Sequence, residues 1–282
     1  MKKLLFVFFI IPCWVWAQDD LLQKLDTVST QDEYEIAAFK GLKIVNFETT
    51  KMVPGRRMFF VVSHRFGSVK SGIEEFFGLD QAVTRLNFVY GITDGINLGI
   101  SRSSFEKTYE SSLKLRLVRQ SENGSPFTIV SFNTLLLNGS LDKDNLPGLR
   151  FEHRLSYAVQ ALISRKIGEK LSLEIIPTFL HDNLVALDGQ ENSQYAVGVG
   201  GRYKISKRLS LNADYGVHLN RAPDSPFKNP LSIGIDIETG GHVFQLHFTN
   251  AQPMNVNTFL NQATGDWGKA DIYFGFNLLR IF

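Results

Sequence analysis

From about Arg57 to the end, the chain repeats one unit: roughly ten residues in which apolar and polar side chains alternate, closed by a turn signal. Nothing else in the sequence constrains the fold as tightly. A period of two sends successive side chains to opposite faces of an extended strand, so each unit reads as a strand with one apolar and one polar face. One unit sets Phe151, Leu155, Tyr157 and Val159 against Arg150, Glu152, Arg154, Ser156 and Gln160. A second sets Leu171, Leu173, Ile175, Pro177 and Phe179 against Ser172, Glu174 and Thr178. A third opposes Tyr195, Val197, Val199 and Tyr203 to Gly198, Gly200, Arg202 and Lys204; a fourth opposes Leu209, Leu211, Ala213, Tyr215 and Val217 to Ser210, Asn212, Asp214 and His218.

About twelve strands are expected, starting near Met58, Ala82, Ile96, Tyr109, Phe127, Leu149, Leu171, Gln194, Leu209, Pro230, His242 and Asp271. Their connections alternate in length. Thr93–Gly95, Ser206–Arg208 and Thr239–Gly241 are short; Gly67–Gln81, Asn138–Gly148, Asp182–Ser193, Asn220–Asn229 and Ala251–Ala270 are long. Short turns at one end and long loops at the other match a barrel in the outer membrane, and an even strand count puts both termini at the short-turn end. The connection near Glu106 breaks the alternation. A soluble sandwich with its apolar faces inward remains the competing architecture.

Ahead of the repeat, Met1–Ala17 has the three parts of a secretory leader: Lys2 and Lys3, an apolar run Leu4–Ile11, and a cleavage site at Val15-Trp16-Ala17. A core helix and a lipid-modified Cys13 are the other readings of this segment, although Pro12 stands where lipidation prefers a small residue. Cleavage after Ala17 leaves no cysteine, which excludes disulfides and Cys-bearing zinc sites. No later stretch approaches about 18 uninterrupted apolar residues, so an exported chain that enters a membrane does so as a barrel.

Composition agrees. Hydrophobic residues at 44% and charged residues at 21% fit neither a disordered tail nor a helical membrane protein. The 23 Phe and 23 Gly against 4 Met favour strands and turns. A formal net charge of +2 gives no electrostatic footprint for nucleic acid. The last strand, with Ile272, Phe274, Phe276 and Leu278 in one parity and Phe282 at the end, looks like the signal read by the outer-membrane assembly machinery; Arg280 interrupts its apolar pattern.

Residues 18–56 behave differently. Leu21, Leu22 and Leu25 have helical spacing, Asp32–Glu35 is acidic, and the mixed stretch Phe39–Val53 ends at Pro54-Gly55. Two readings stay open here: a periplasmic tail with one helix, or a plug folded into the lumen, which a polar interior of this size can accept.

A succession of short motifs carries a family resemblance. Phe39-Lys40-Gly41 and Ile44-Val45-Asn46 are followed by Ser63-His64-Arg65-Phe66-Gly67, Phe77-Gly78-Leu79-Asp80, Tyr90-Gly91-Ile92-Thr93-Asp94, Arg102-Ser103-Ser104 and Leu117-Val118-Arg119-Gln120. The chain resembles an uncharacterised β-barrel family of Bacteroidota, a domain of unknown function (the five-seven-seven-seven family). The resemblance spans most of the chain and is densest from Phe39 to Gln120. It implies an outer-membrane barrel and no agreed activity.

Arg85, Lys114, Arg116, Arg150, Glu152, Arg154, Glu174, Arg202, Lys204, Asp214, Asp236 and Glu238 fall on the expected inner face. They read either as a charged pore lining or as pairs that fill the lumen and leave no channel. Of the six histidines, His64, His153, His181 and His218 are placed near the long-loop end, but no two have metal-motif spacing on a helix. A Ser–His pair on the outer wall would suit a lipid hydrolase; His153 and Ser156 lie on opposite faces by parity, and no G-x-S-x-G elbow exists. Gly198-x-Gly200-Gly201 lacks the spacing of a phosphate loop and reads better as strand glycines facing a crowded lumen. Tyr90, Tyr157, Tyr195, Tyr203, Tyr215, Phe274 and Phe276 are expected at the membrane interfaces.

These readings converge on an all-β transmembrane antiparallel barrel over residues 57–282, after a signal peptide (1–17) and the N-terminal segment (18–56). The expected function is that of a non-enzymatic integral outer-membrane protein of a Gram-negative cell, a small or plugged porin-like pore or the membrane anchor of a larger assembly. The partners expected are outer-membrane lipid, lipopolysaccharide and the assembly machinery, without cofactor, metal or nucleic acid. An outer-membrane lipid-modifying hydrolase is the alternative.

Overall fold

A computed structural model of the chain describes residues 37–185, 187–239 and 241–282. The leader, the helix-spaced leucines and the acidic stretch lie outside the described residues. From residue 58 onward the described chain is a meander of twelve antiparallel strands: β1 (Met58–Ser68), β2 (Ala82–Thr93), β3 (Ile96–Ser103), β4 (Tyr109–Val118), β5 (Thr128–Leu137), β6 (Leu155–Ile167), β7 (Leu171–Asp182), β8 (Ser193–Lys204), β9 (Leu209–His218), β10 (Leu231–Thr239), β11 (His242–Thr249) and β12 (Tyr273–Ile281). Each strand pairs with its sequence neighbour, and β1 pairs with β12 to close the barrel. Closure removes the two edges that an open sheet would expose. At the lower end the Phe282 N–H donates to the Met58 carbonyl at 2.9 Å, so the two ends of the barrel segment meet there.

The alternation seen in the sequence sets the two faces. On β9, Ser210, Asn212, Asp214 and His218 are buried inside, while Leu211 and Tyr215 face out. On β2 and β3 the exposed set is Leu86, Phe88, Tyr90, Ile92, Ile96, Leu98 and Ile100, a continuous apolar exterior. Water would penalise so large an apolar band, whereas hydrocarbon does not. The tyrosines expected at the interfaces are on this outer face, with Tyr90, Tyr157, Tyr195, Tyr203 and Tyr215 all exposed. No helix among the described residues is long and apolar enough to cross a membrane, so the crossing is made by strands.

One connection differs from the sequence reading. The sixth strand starts at Leu155, because Phe151–Arg154 forms a turn of 3-10 helix whose alternating residue types mimic a strand. The short connection near Glu106 is likewise one 3-10 turn, Phe105–Lys107, among the upper loops.

The lumen is filled from both ends. From below, residues 39–55 form a hairpin inside the barrel: the Ile44 N–H donates to the Phe47 carbonyl at 2.8 Å, and the Thr49 N–H to the Leu42 carbonyl at 2.7 Å. From above, the β11–β12 connection folds inward and carries a short helix, α1 (Val256–Asn261). The two meet at Phe47 and Phe259, whose ring centroids lie 4.9 Å apart in an edge-to-face contact. Around them runs a hydrophobic core that includes Phe39, Ile44 and Met52 of the hairpin, Val256 and Leu260 of the upper insert, and Val130, Phe132, Leu162, Ile176 and Leu180 of β5–β7. The interior is therefore polar on only part of its circumference, where the sequence alone led to the expectation of a polar lumen.

Candidate functional site

The seat of the hairpin is the most heavily bonded part of the interior. One carboxylate oxygen of Asp214 accepts three backbone N–H groups at the hairpin tip, from Val45 at 2.9 Å, Asn46 at 2.7 Å and Phe47 at 3.2 Å. Successive N–H groups converging on one anion form the kind of nest that turns present to carboxylates and phosphates. The Asn46 side chain adds bonds to Ser232 at 2.7 Å and Thr249 at 3.3 Å, and its oxygen accepts from Arg65. Arg65 also donates to the Ala251 and Pro253 carbonyls, each at 2.6 Å, and so ties hairpin tip to upper insert.

Glycines shape the wall behind the tip. A Cβ at Gly198 would lie 2.6 Å from the Phe47 ring, one at Gly200 2.6 Å from Ile44, and one at Gly234 3.2 Å from Val45. These strand glycines leave the space the hairpin occupies. The descending limb is clamped lower down, where the Asn97 side-chain amide donates to the Val53 carbonyl and accepts from the Val53 N–H, both at 2.8 Å.

On the other side the hairpin is charged. Glu48 lies 3.4 Å from Lys43 of the opposite limb and 3.4 Å from Lys114 of β4. Beside this group Arg85 pairs with Glu110 and donates to Ser101 at 3.0 Å. Burial depresses Lys43 to about 8, with Glu48 opposing that shift and Arg85 adding to it. Burial pushes Glu48 upward, but the cations Lys43, Lys114 and Arg85 outweigh it and hold the carboxyl below its ordinary value. The gaps along this charged seam, lined by Leu42, Glu48, Asn87 and Lys114 among others, are only about 10 and 20 Å³.

Of the twelve charged residues that the sequence placed inside, Arg85, Lys114, Glu174, Arg202, Asp214 and Asp236 are buried in the interior. Glu238 sits at the lower end of β10, bonded to Arg202 at 2.5 Å and 3.4 Å from Lys40. Lys204 is the last residue of β8, and Arg116 lines a cavity at the lower mouth. Arg154 faces the upper mouth and donates to the Asn138 carbonyl at 3.3 Å. Arg150 and Glu152 are not on the inner face: they pair at 3.0 Å with both side chains more than half exposed, because the 3-10 turn removes them from the strand.

The histidines divide between the faces. His247 and His218 are buried inside; His64 stacks on Phe276, and His181 stacks on Tyr157, an outer-face residue. Among the described residues no cluster of His, Cys, Asp and Glu has the arrangement of a metal site. His153 receives the Arg150 backbone N–H at 3.3 Å, and no serine hydroxyl among the described residues bonds to it. A different Ser–His contact exists, with Ser193 Oγ 3.0 Å from His181 Nδ1. The neighbouring Asp182 does not orient that ring, since its carboxylate is engaged by Asn257 and Asn261.

What the sequence did not reveal is the partner of each interior residue. Asp214 and Arg65 gave no sign of being anchors, because the hairpin tip lies more than 160 residues from Asp214 in the chain, and the upper insert more than 180 from Arg65. The inward positions Ile176 and Leu180 break the polar parity of β7 and would have signalled an apolar filling.

Residues 39–282 match the family described as "Membrane bound beta barrel domain (DUF5777)", and the chain belongs to that family. It is an integral membrane β-barrel. No curated protein matches the sequence. Among solved structures the chain is similar to the NanC porin, with 10% identity and a TM-score of 0.49 over 79% of this chain and 98% of that one. It is also similar to the KdgM porin, with 8% identity and a TM-score of 0.47 over 80% and 99%.

Proposed function

We propose that this protein is a non-enzymatic outer-membrane barrel whose pore is plugged by its own N-terminal hairpin. The observation that carries the reading is the seating of the hairpin tip: three backbone N–H groups on the Asp214 carboxylate, over wall glycines that leave room for Phe47 and Ile44. The division of the interior supports it. The apolar side, on β5–β8, grips the hairpin, while the charged side, with Arg85, Glu110, Lys114 and Glu48, supplies a polar route that widens when the hairpin moves.

Export through the leader, residence beside lipopolysaccharide, and assembly through the strand ending at Phe282 belong to the same reading. The test is single-channel recording of the refolded protein beside a chain lacking residues 18–56, with the fold of both checked by heat-modifiable gel migration. Silence in the full chain and discrete steps in the shortened one support a plugged pore; silence in both, with the fold intact, leaves the anchor role.

One observation favours a second reading, a lipid-modifying hydrolase: the contact between Ser193 and His181. Release of fatty acid from phospholipid vesicles, abolished by Ser193→Ala, is what that reading requires.

A further inference from the structure

The outer wall carries a feature that the plugged interior does not explain and that does not depend on whether the pore opens. On its upper part, across β2–β6, a groove of about 610 Å³ opens onto the lipid-facing surface, a size within the ~300–1,000 Å³ of ordinary ligand sites. Strand register explains the depression. One outward row runs Phe88, Ile100, Ser111, Leu135 across neighbouring strands, and Ser111 is its small member. Large side chains therefore stand on both sides of a short one, and the floor between them sinks. Phe151, 64% exposed, borders the groove from the 3-10 turn above.

The next row up is Leu86, Arg102, Tyr109, Leu137 and Leu155. It sets a single cation among apolar and aromatic side chains on a lipid-facing wall. Such a charge is costly unless it reaches water or an anion. Arg102 is one residue from the end of β3 and Tyr109 begins β4, so the pair stands where the wall meets the headgroups. The guanidinium carbon lies 4.7 Å from the centre of the Tyr109 ring. That contact occupies one face of the guanidinium and leaves its in-plane N–H donors available. Among the described residues the Arg102 side chain joins no ion pair and no hydrogen bond. An apolar groove with an unpaired, oriented cation at its top is complementary to an acyl chain that ends in a phosphate.

We propose that this groove is a binding site for an anionic membrane lipid. One acyl chain lies over Ser111, between Ile100 and Leu135, and the phosphate accepts a forked pair of N–H bonds from Arg102. Position selects a lipid over a free phosphate. Phosphate alone would leave the apolar floor uncovered, and this face of the barrel already lies in hydrocarbon.

The test is native mass spectrometry of the full chain in detergent, titrated with a diacyl phosphatidic acid, with phosphatidylcholine of the same chains, and with inorganic phosphate. Saturable one-to-one retention of phosphatidic acid is expected, about tenfold tighter than phosphatidylcholine, with none of inorganic phosphate. Arg102→Gln should erase the preference for phosphatidic acid. Ser111→Leu raises the floor with a residue that the lipid-facing wall tolerates, and it should weaken retention of both lipids about tenfold. Heat-modifiable migration checks the fold of both variants. Equal retention of the two lipids by the wild type, a preference that survives Arg102→Gln, retention indifferent to Ser111→Leu, or retention of inorganic phosphate would each overturn the proposal. So would a dimer that buries the groove and keeps no lipid, which would make a second copy its occupant.

Discussion

The Asp214 carboxylate on the barrel wall accepts the backbone N–H of Asn46 at 2.7 Å, and the residues on either side of Asn46 donate to the same oxygen. One wall side chain thus holds a turn that comes from a segment 168 positions earlier in sequence. Bonds to a charged acceptor are among the stronger ones in proteins, and their loss would leave three buried N–H groups without a partner.

Asp214→Ala should therefore loosen the tip at a cost of about 3 kcal/mol. Proteolytic cleavage within residues 39–55 measures this directly: rapid cutting in the variant and protection in the wild type are expected. Asp214→Asn keeps one accepting oxygen and should fall between the two.

The wall glycines make a steric prediction. Gly198→Ala places a methyl 2.6 Å from the Phe47 ring, so the hairpin has to shift, at a cost of about 1–3 kcal/mol. Combining it with Phe47→Leu should recover part of the loss. If the double variant is no better than the sum of the singles, the hairpin does not depend on this contact.

Phe47 and Phe259 join the lower and upper inserts. Phe47→Ala should destabilise the barrel by about 3–5 kcal/mol through the cavity it leaves. A double-mutant cycle with Phe259→Ala, read from denaturant midpoints in detergent, should return a coupling of about 0.5–1.5 kcal/mol. Zero coupling would mean that the two inserts fold independently.

Much of this architecture was legible from alternation alone. Eleven of the twelve expected strand starts fall within two residues of the structure, and Ser210, Asn212 and Asp214 point inward as their parity requires. The exception is instructive: Arg150 and Glu152 keep the period of two, yet Phe151–Arg154 makes no ladder, because residue type repeats without the hydrogen bonds that define a strand. The filling was legible only in outline. Gly198 and Gly200 pointed to a crowded lumen, but which segment crowds it depends on pairings such as Phe47 with Gly198, and a local pattern does not carry those. The mixed stretch Phe39–Val53 had no clear period because a hairpin with one apolar and one charged side follows neither a helical nor a strand repeat.

Lys43 predicts a pH dependence. In the folded chain burial lowers it to about 8 from an ordinary 10.5, so between those values the unfolded state holds more protons and stability climbs with pH. Below about pH 8 both states are charged and the penalty is present in full. The temperature of gel heat-modification should rise by a few degrees from pH 8 to 10, and Lys43→Met should flatten that rise. A fall over this range would contradict the burial of Lys43.

The central claim is that the hairpin shuts the lumen, and a reversible lock tests it most directly. A Cβ at Gly234 would lie 3.2 Å from Val45 at the hairpin tip, and the sequence has one cysteine, Cys13, which the expected cleavage after Ala17 would remove. A chain carrying Val45→Cys and Gly234→Cys together with Asp214→Ala brings two sulfurs together between tip and wall, and it can be oxidised to pin the loosened tip, then reduced to free it. Single-channel recording of that chain should show silence while the disulfide is intact and discrete current steps after reductant is added. Steps of the same size before and after reduction would contradict the account.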